Sequence, residues 1–447
     1  MLTVAYLANL LPSAVEPYVM EEMEELRKRG VRVVAGSVRR PQPRTREMSD
    51  PQIVLQSWNP VVLASASVLC ARKWGLLAPL LKRILFLGRE GLAQRLKALA
   101  HTLLGACYAR LLEGRGVEHI HVHHGYFGAW VAMTAARLVG VPFSMTLHGS
   151  DLLLHGAYLD TKLAYCAFCV TISEYNRDYI LRQYAGMDPR KVLVSRLGVA
   201  VCEEVDVPKS CAGDFFRILT VGRLSAVKDH AFLVKACSEL KARGLHFECE
   251  IAGAGPERKR LERLISSCGL SGRVRLLGHI RREEVNDLYD RADLVVITSR
   301  SEGIPLVLME AMARGKIVLA PAITGIPELI TPGETGFLYE PGSMRDFVGQ
   351  VLQIHSRWRA SSAEQLEEKI DGCCCSSPPD STDGVLEKIR RAAREQVRRK
   401  FNRNINLEKF AGSFVERVRA GTEHSGHENP VLQQVQLSLQ RDRSLSV

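Results

Sequence analysis

Ser299–Lys316 reads SRSEGIPLVLMEAMARGK and follows the apolar run Leu294–Thr298. The run reads as a buried strand, and Gly303 permits a sharp turn after it. Pro305 suits the first position of a helix, where no N–H is missed, and Pro305–Arg314 consists mostly of good helix formers. A strand, a tight turn and a helix whose first N–H groups face the turn favour an anion, phosphate above all. Two carboxylates frame this start. Glu302 sits in the turn, and Glu310 falls about a turn and a half inside the helix. Among Leu306, Val307, Leu308, Met309, Ala311 and Met312, Glu310 needs partners. Two readings stand. In one, Glu310 accepts hydrogen bonds from a ribose diol and Glu302 holds a second polyol. In the other, this is a capped, half-buried helix with an internal salt bridge.

Outward from this stretch, strands end repeatedly in glycine. Phe216–Val221 leads to Gly222, His246–Ala252 to Gly253-Ala254-Gly255-Pro256, and Arg273–Leu277 to Gly278. Ile317–Ala320 is followed by Thr324-Gly325. Glycine at such ends lets a ligand approach the backbone. Gly253 and Gly255 alone fall short of a dinucleotide fingerprint. Arg223 and Lys228 add two cations at one strand end, which suits a diphosphate, although each alone reads equally as a surface charge.

The first half begins with a strand at Leu2–Leu10, a helix at Glu16–Arg29 closed by Gly30, and a strand at Val31–Val38. That βαβ unit predicts a parallel sheet, so the fold class is α/β. Residues 39–60 read as loop. Residues 61–112 read as helical, with charges that are nearly all basic and with Trp74 and Phe86 among leucines. They form either an amphipathic membrane-interface region or ordinary packed helices with a solvated basic edge. His119, His121, His123 and His124 alternate enough to suggest a metal. No carboxylate stands at ligand spacing, and we place these side chains on opposite faces of a strand, so no metal is expected. Phe143–Leu147 is a strand that runs into His148-Gly149-Ser150-Asp151. Ligands of open α/β sheets bind beyond the carboxyl ends of strands. His148 is therefore placed to touch a substrate, or else is a turn histidine bonded to Asp151.

At 447 residues the chain has room for two or three domains. The net charge of +11 asks for an anionic partner, either a phosphate-bearing ligand or an anionic membrane surface. Aromatics are 6% and are not interleaved with basic residues, so nucleic acid is not expected. The 12 cysteines show no regular spacing, and Cys373–Cys375 lie in a Gly/Ser/Pro-rich piece that reads as a reduced loop. The first residues have no positive n-region and read as a strand rather than a signal peptide. No run of ~18 uncharged apolar residues predicts a transmembrane helix.

The ordered set Gly222-Arg223-Leu224, Lys228-Asp229, Gly253-Ala254-Gly255-Pro256, Gly278 and Glu302-Gly303 with Glu310-Ala311-Met312 resembles the family 4 glycosyltransferases of GT-B type. The resemblance covers residues 1 to about 420. Pro12-Ser13-Ala14-Val15-Glu16-Pro17-Tyr18 is similar to the exopolysaccharide and lipopolysaccharide branch, the colanic-acid type. It implies two Rossmann-like, doubly wound domains facing across a cleft. Residues 1–205 would be the acceptor-side domain and 206–384 the donor domain, with a loop insertion at 360–384. Helices over 385–420 would cross back to the first domain, and 421–447 would be a tail. The activity implied is hexosyl transfer, with retention, from a nucleotide-sugar donor to a saccharide or lipid-linked acceptor. No metal or other cofactor is implied.

By the same resemblance Arg223 and Lys228 bind the diphosphate and Glu310 the ribose. Gly253, Gly255, Ile304 and Leu306 line the donor site, and Glu302 with the N–H groups from Gly303 onward holds the sugar. His148, Glu302 and Lys228 are the catalytic set; Ser13, Glu16 and Asp151 lie on the acceptor side. No carboxylate is free to act as nucleophile, so front-face substitution is expected, with the leaving diphosphate taking the acceptor proton. The expected location is cytoplasmic, at or near the inner membrane face. Three features depart from the family. The glycine pair common after the first strand is missing, Ile304-Pro305 replaces an aromatic and glycine, and Thr324-Gly325 replaces a paired glycine. A non-catalytic sugar-nucleotide or polysaccharide-binding protein is the alternative function, since fold does not fix function.

Overall fold

In the computed structural model residues 1–13, 16–40, 52–55, 59–88, 90–154, 156–184, 186–201, 215–370 and 384–423 are described. The chain forms two compact units: Met1–Arg196 with Ile405–Val447, and Leu197–Asn404.

The first unit opens with β1 (Thr3–Ala8), α1 (Pro17–Lys28), β2 (Arg32–Ser37) and the short β3 (Ile53–Val54). Three helices follow, α2 (Pro60–Arg72), α3 (Trp74–Leu85) and α4 (Leu92–Leu112). The unit continues through β4 (His119–His123), α5 (Phe127–Val139), β5 (Phe143–Leu147), α6 (Ser150–Leu153) and α7 (Leu159–Tyr165). It then adds β6 (Phe168–Thr171), α8 (Glu174–Gln183) and β7 (Val192–Val194). The strand order is β3-β2-β1-β4-β5-β6-β7, and all pairs are parallel. The period-two alternation of β1 divides the two cores. Ala5 and Leu7 face the helices α4 and α5, while Val4, Tyr6 and Ala8 face α1.

The second unit runs β8 (Phe216–Val221), α9 (His230–Ala242), β9 (Phe247–Ala252), α10 (Arg258–Ser267), β10 (Val274–Gly278) and α11 (Arg282–Arg291). Next come β11 (Leu294–Val296), α12 (Leu306–Ala313), β12 (Ile317–Pro321), α13 (Ile326–Leu329) and β13 (Phe337–Tyr339). α14 (Met344–Ile370) and α15 (Val385–Lys400) end the unit. Its sheet order is β10-β9-β8-β11-β12-β13, again parallel throughout. Both orders reverse direction once, between β1 and β4 and between β8 and β11. These are the switch points beyond which open sheets take ligands.

Several expectations need correction. The first unit ends at Arg196, not residue 205. α15 was expected to cross back to the first domain. Its Leu386, Ile389, Ala393 and Val397 are instead buried in the second unit, with Ala393 and Val397 in the cluster that also holds Leu308 and Met312 of α12. The return is made by α16 (Arg403–Glu423), which seats Phe410, Phe414 and Val418 on the β1 face of the first unit. Each such aromatic contributes about 1.5–3 kcal/mol by burial. The expected insertion at 360–384 is helical up to Ile370. Its remainder, with Cys373–Cys375, and residues 424–447 of the expected tail lie outside the described residues. Within 39–60, Ile53–Val54 extends the first sheet.

No single described helix is long and apolar enough to cross a membrane, and the pair α2 and α3 bends by 93°. Trp74, Phe86, Leu92 and Val61 around these helices are more than half exposed.

Candidate active site

In the second unit, the β8 and β11 ends are stitched together. Thr298 donates through Oγ1 to the carbonyls of Lys228 and Asp229 at 3.1 and 3.0 Å. The Arg300 N–H donates to the Val227 carbonyl at 2.8 Å, and Arg300 Nε to Asp229 Oδ2 at 2.7 Å. Asp229 itself takes a left-handed φ of 45°. This turn presents Lys228 Nζ to Glu302 Oε1 at 2.5 Å. Arg223, on the turn after β8, is exposed and has no side-chain partner among the described residues.

α12 begins at Leu306, with Pro305 as its N-cap rather than its first helical residue, and no side chain caps its N–H groups. Ile304 is buried and Leu306 half-buried at this start. Glu310 accepts from Tyr289 O–H at 3.0 Å. Burial first, and then the Glu310 charge, raise the Tyr289 phenol well above its ordinary value, so it stays a donor.

Gly253 and Gly255 meet this chain's own backbone. A Cβ on Gly253 would lie 1.9 Å from the Gly222 carbonyl oxygen, and one on Gly255 2.3 Å from that of Leu224. Those glycines let two strand-end turns pack, which fixes the path of Gly222-Arg223-Leu224. Thr324 adopts φ 46° where the family pairs glycines, and its hydroxyl donates to the Glu302 carbonyl. The Gly325 Cβ position lies 2.8 Å from the Gly303 oxygen, so this turn holds the Glu302–Gly303 turn from behind.

In the first unit, a buried polar cluster lies beyond β1, β4 and β5. Asp151 is fully buried and accepts from the backbone N–H groups of Gly125, Gly149 and His148 at 2.8, 2.8 and 3.1 Å. Glu16 Oε1 lies 2.8 Å from His124 Nε2, and Asp151 Oδ2 lies 3.7 Å from His124 Nδ1. Burial opposes a charge on His124, but its contacts with Asp151 and Glu16 prevail and raise it to about 9. Burial likewise opposes the Asp151 charge, yet the contact with His124 holds the carboxyl well below its ordinary value. Ser13 is buried, and its carbonyl accepts the Glu16 N–H at 3.3 Å. Lys162, also buried, donates to the Gly125 carbonyl and pins the turn after β4.

The histidines are not split between faces. His119, His121 and His123 share the β4 face that carries Tyr6 of β1, and all are buried. The carboxylate that the local sequence lacks comes from α1. Glu22 with His121 and His123 brings ligand-type atoms within 4.8 Å of one another, the one such group among the described residues. The ring nitrogens there are already engaged. His121 contacts Ser144 Oγ and Thr146 Oγ1 at 2.8 and 3.0 Å. His123 contacts Glu22 through Nε2 and His148 through Nδ1. The cluster is a hydrogen-bonded network that already uses the atoms a metal would need. The sequence reading passed over Tyr6 and Glu22. The period-two histidines were the signal that could have found the network.

The family model for glycosyl transferases group 1 matches residues 204–371, and that for the glycosyl transferase 4-like domain matches 13–198. The chain thus carries a group 1 glycosyltransferase domain after a glycosyl transferase 4-like domain. Among relatives of this chain, WcaL of Salmonella typhimurium, named for colanic acid biosynthesis, is 35% identical over 175 residues. That alignment takes 38% of this chain and 43% of the relative, so the chain spans less than half of the relative's length. Sucrose-phosphate synthase from Thermosynechococcus elongatus superposes with a TM-score of 0.68 at 17% identity, over 94% of this chain and 100% of the other. Anabaena HepE in complex with UDP gives 0.61 at 17% identity, over 93% and 100%. The chain thus has the GT-B fold, with two Rossmann-like units.

Proposed function

We propose that this protein is a retaining, metal-independent hexosyltransferase. It moves a sugar from a nucleotide-sugar donor to a saccharide or lipid-linked acceptor in cell-surface polysaccharide biosynthesis. The observation that carries this reading is the convergence of Lys228, Glu302 and the uncapped start of α12 at the switch point of the second sheet, with Arg223 exposed at the end of β8. Cations and helix N–H groups at that point suit a diphosphate. Glu310 with Tyr289 suits a ribose diol. The colanic acid relative WcaL supports polysaccharide biosynthesis, and the UDP complex of HepE supports a nucleotide-bearing donor.

The bonds of Glu302 to Lys228 and of Glu310 to Tyr289 support a reading in which neither acts as a nucleophile. Front-face substitution follows: the leaving diphosphate takes the acceptor proton while Lys228 and Arg223 stabilise its charge. His148 hydrogen-bonds the reacting sugar. Ser13, Glu16 and Asp151 shape the acceptor side. The exposed Trp74, Phe86 and Leu92 beside basic residues support peripheral contact with the inner membrane face, where a lipid-linked acceptor is met.

The test is to incubate the full chain with UDP-, GDP- and dTDP-linked hexoses, with and without EDTA, and to follow sugar release and product anomer by NMR. Release of one sugar with retained configuration, unchanged by EDTA, is expected. Binding without turnover would make the protein a sugar-nucleotide binder, and inversion or EDTA-sensitive turnover would overturn the mechanism.

A further inference from the structure

His148, read above as the group that meets the reacting sugar, is the outer end of a chain of hydrogen bonds that begins at Glu22. Tyr6 O–H donates to Glu22 Oε2 at 2.6 Å. His123 Nε2 lies 3.0 Å from that same oxygen and 3.0 Å from the Tyr6 oxygen. His123 Nδ1 lies 3.1 Å from His148 Nε2. Glu22, Tyr6 and His123 are at most 5% exposed, and His148 is 9% exposed.

The protons along this chain can be assigned by elimination. Tyr6 has one proton, and burial and the neighbouring Glu22 keep it on the phenol. That proton goes to Glu22, so the Tyr6 oxygen and the Glu22 carboxylate both present acceptors to His123 Nε2. Nε2 is then the protonated nitrogen of His123. In a neutral ring the other nitrogen, Nδ1, is an acceptor. The atom facing it, His148 Nε2, must carry a proton. His148 is held neutral first by burial and then by the charged His124 beside it, so its Nδ1 keeps a bare lone pair. His148 Nδ1 has no partner among the described residues. The main chain of His148 is fixed independently, by Asp151 on its N–H and by Asn176 Nδ2 on its carbonyl at 2.8 Å. The titratable groups around the ring are His123, His124, Tyr18 and Asp151.

We propose that Glu22, Tyr6 and His123 are positioning residues that hold His148 as the Nε2-protonated tautomer, so that it meets a sugar hydroxyl as a hydrogen-bond acceptor. This rests on the glycosyl-transfer reading of His148. A neutral acceptor suits that role, because an imidazolium would repel the positive charge that grows on the sugar ring. Accepting from a hydroxyl also raises electron density on the sugar. The three positioning residues touch no substrate, and they act through the ring of His148 alone.

The test is a long-range 1H–15N NMR correlation on the full chain with 15N-histidine at pH 7, without any substrate. Nε2-protonated patterns are expected for both His123 and His148. Glu22→Ala should turn the His148 pattern into a tautomer mixture, while Tyr6→Phe, which removes one acceptor of His123 Nε2 and leaves the Glu22 acceptor in place, should shift it less. A wild-type His148 protonated on Nδ1, or a doubly protonated His123, overturns the relay even if Glu22→Ala fails to fold. An unchanged His148 pattern in folded Glu22→Ala does the same. On the sugar nucleotide turned over in the panel above, Glu22→Ala should lower kcat about 10- to 100-fold with KM little changed. A loss confined to KM overturns the proposal. Failure of every sugar nucleotide while the NMR patterns hold would instead overturn the glycosyl-transfer reading and leave the tautomer assignment standing.

Discussion

Lys228 Nζ and Glu302 Oε1 stand 2.5 Å apart, with side chains 29% and 11% exposed. The residues are 74 positions apart in sequence. Each arrives on its own strand-end turn, and Thr298 and Arg300 lock those turns together. The cation proposed for a diphosphate and the carboxylate proposed for a sugar are therefore one unit.

That unity predicts strong non-additivity. Lys228→Ala and Glu302→Ala should each lower turnover about 10²–10³-fold. The double variant should fall little further, because groups acting as a unit do not add. Steady-state kinetics on all three variants checks this. Multiplicative losses would separate the two residues, and an unchanged rate in Lys228→Ala would remove the donor-site assignment.

Glu310 should matter for binding more than for turnover. A hydrogen bond to a charged group contributes about 1.5–3 kcal/mol, so Glu310→Ala should weaken UDP binding about 10- to 100-fold. Tyr289→Phe removes only the bond that orients the carboxylate and should weaken it less. Calorimetric titration with UDP measures both, and the reverse order would count against the ribose role.

The His124 pair makes stability depend on pH in a defined direction. His124 is raised to about 9 in the fold against an ordinary ~6.5. Its contribution is complete below about pH 6.5 and disappears as pH rises through about 9. Asp151 is depressed, so its contribution is present above its ordinary ~3.9 and is lost as pH falls below that. Thermal melting across pH should show wild type losing stability between about 6.5 and 9 and His124→Gln losing much less there. Parallel curves would refute the charged pair.

Thr324 sits at φ 46°, a conformation costing a non-glycine residue about 1 kcal/mol, and its hydroxyl bond to Glu302 returns a similar amount. Thr324→Gly loses the bond and the strain together and should be near neutral. Thr324→Ala loses only the bond and should melt lower. If alanine proves the more stable of the two, the strain assignment fails.

Membrane contact through α2 to α4 should depend on both apolar and basic groups. Each basic residue near an anionic surface contributes about 1 kcal/mol. The variant Trp74→Ser/Phe86→Ser/Leu92→Ser should lose flotation with anionic vesicles, and wild type should float less at high salt. Equal flotation with neutral and anionic lipid would favour ordinary surface helices.

By itself the sequence determined the local grammar of this protein. Apolar runs ending in Gly222, Gly253 and Gly278, with helical stretches between them, specify parallel α/β units, because strand period, helix propensity and glycine turns act within a few residues. The residues proposed for the donor side were legible as a group because strand ends in such sheets gather on one edge. Only the tertiary structure decided what those residues touch. It joined Lys228 to Glu302, turned Gly253 and Gly255 against this chain's own backbone, and kept α15 in the second unit. It also brought Glu22 of α1 to His123 of β4, 101 positions away, and His148 of β5's turn to the same ring. A short-range pattern carries no record of such pairings. They arise when two elements bury one face together, and the buried polar atoms there must find each other.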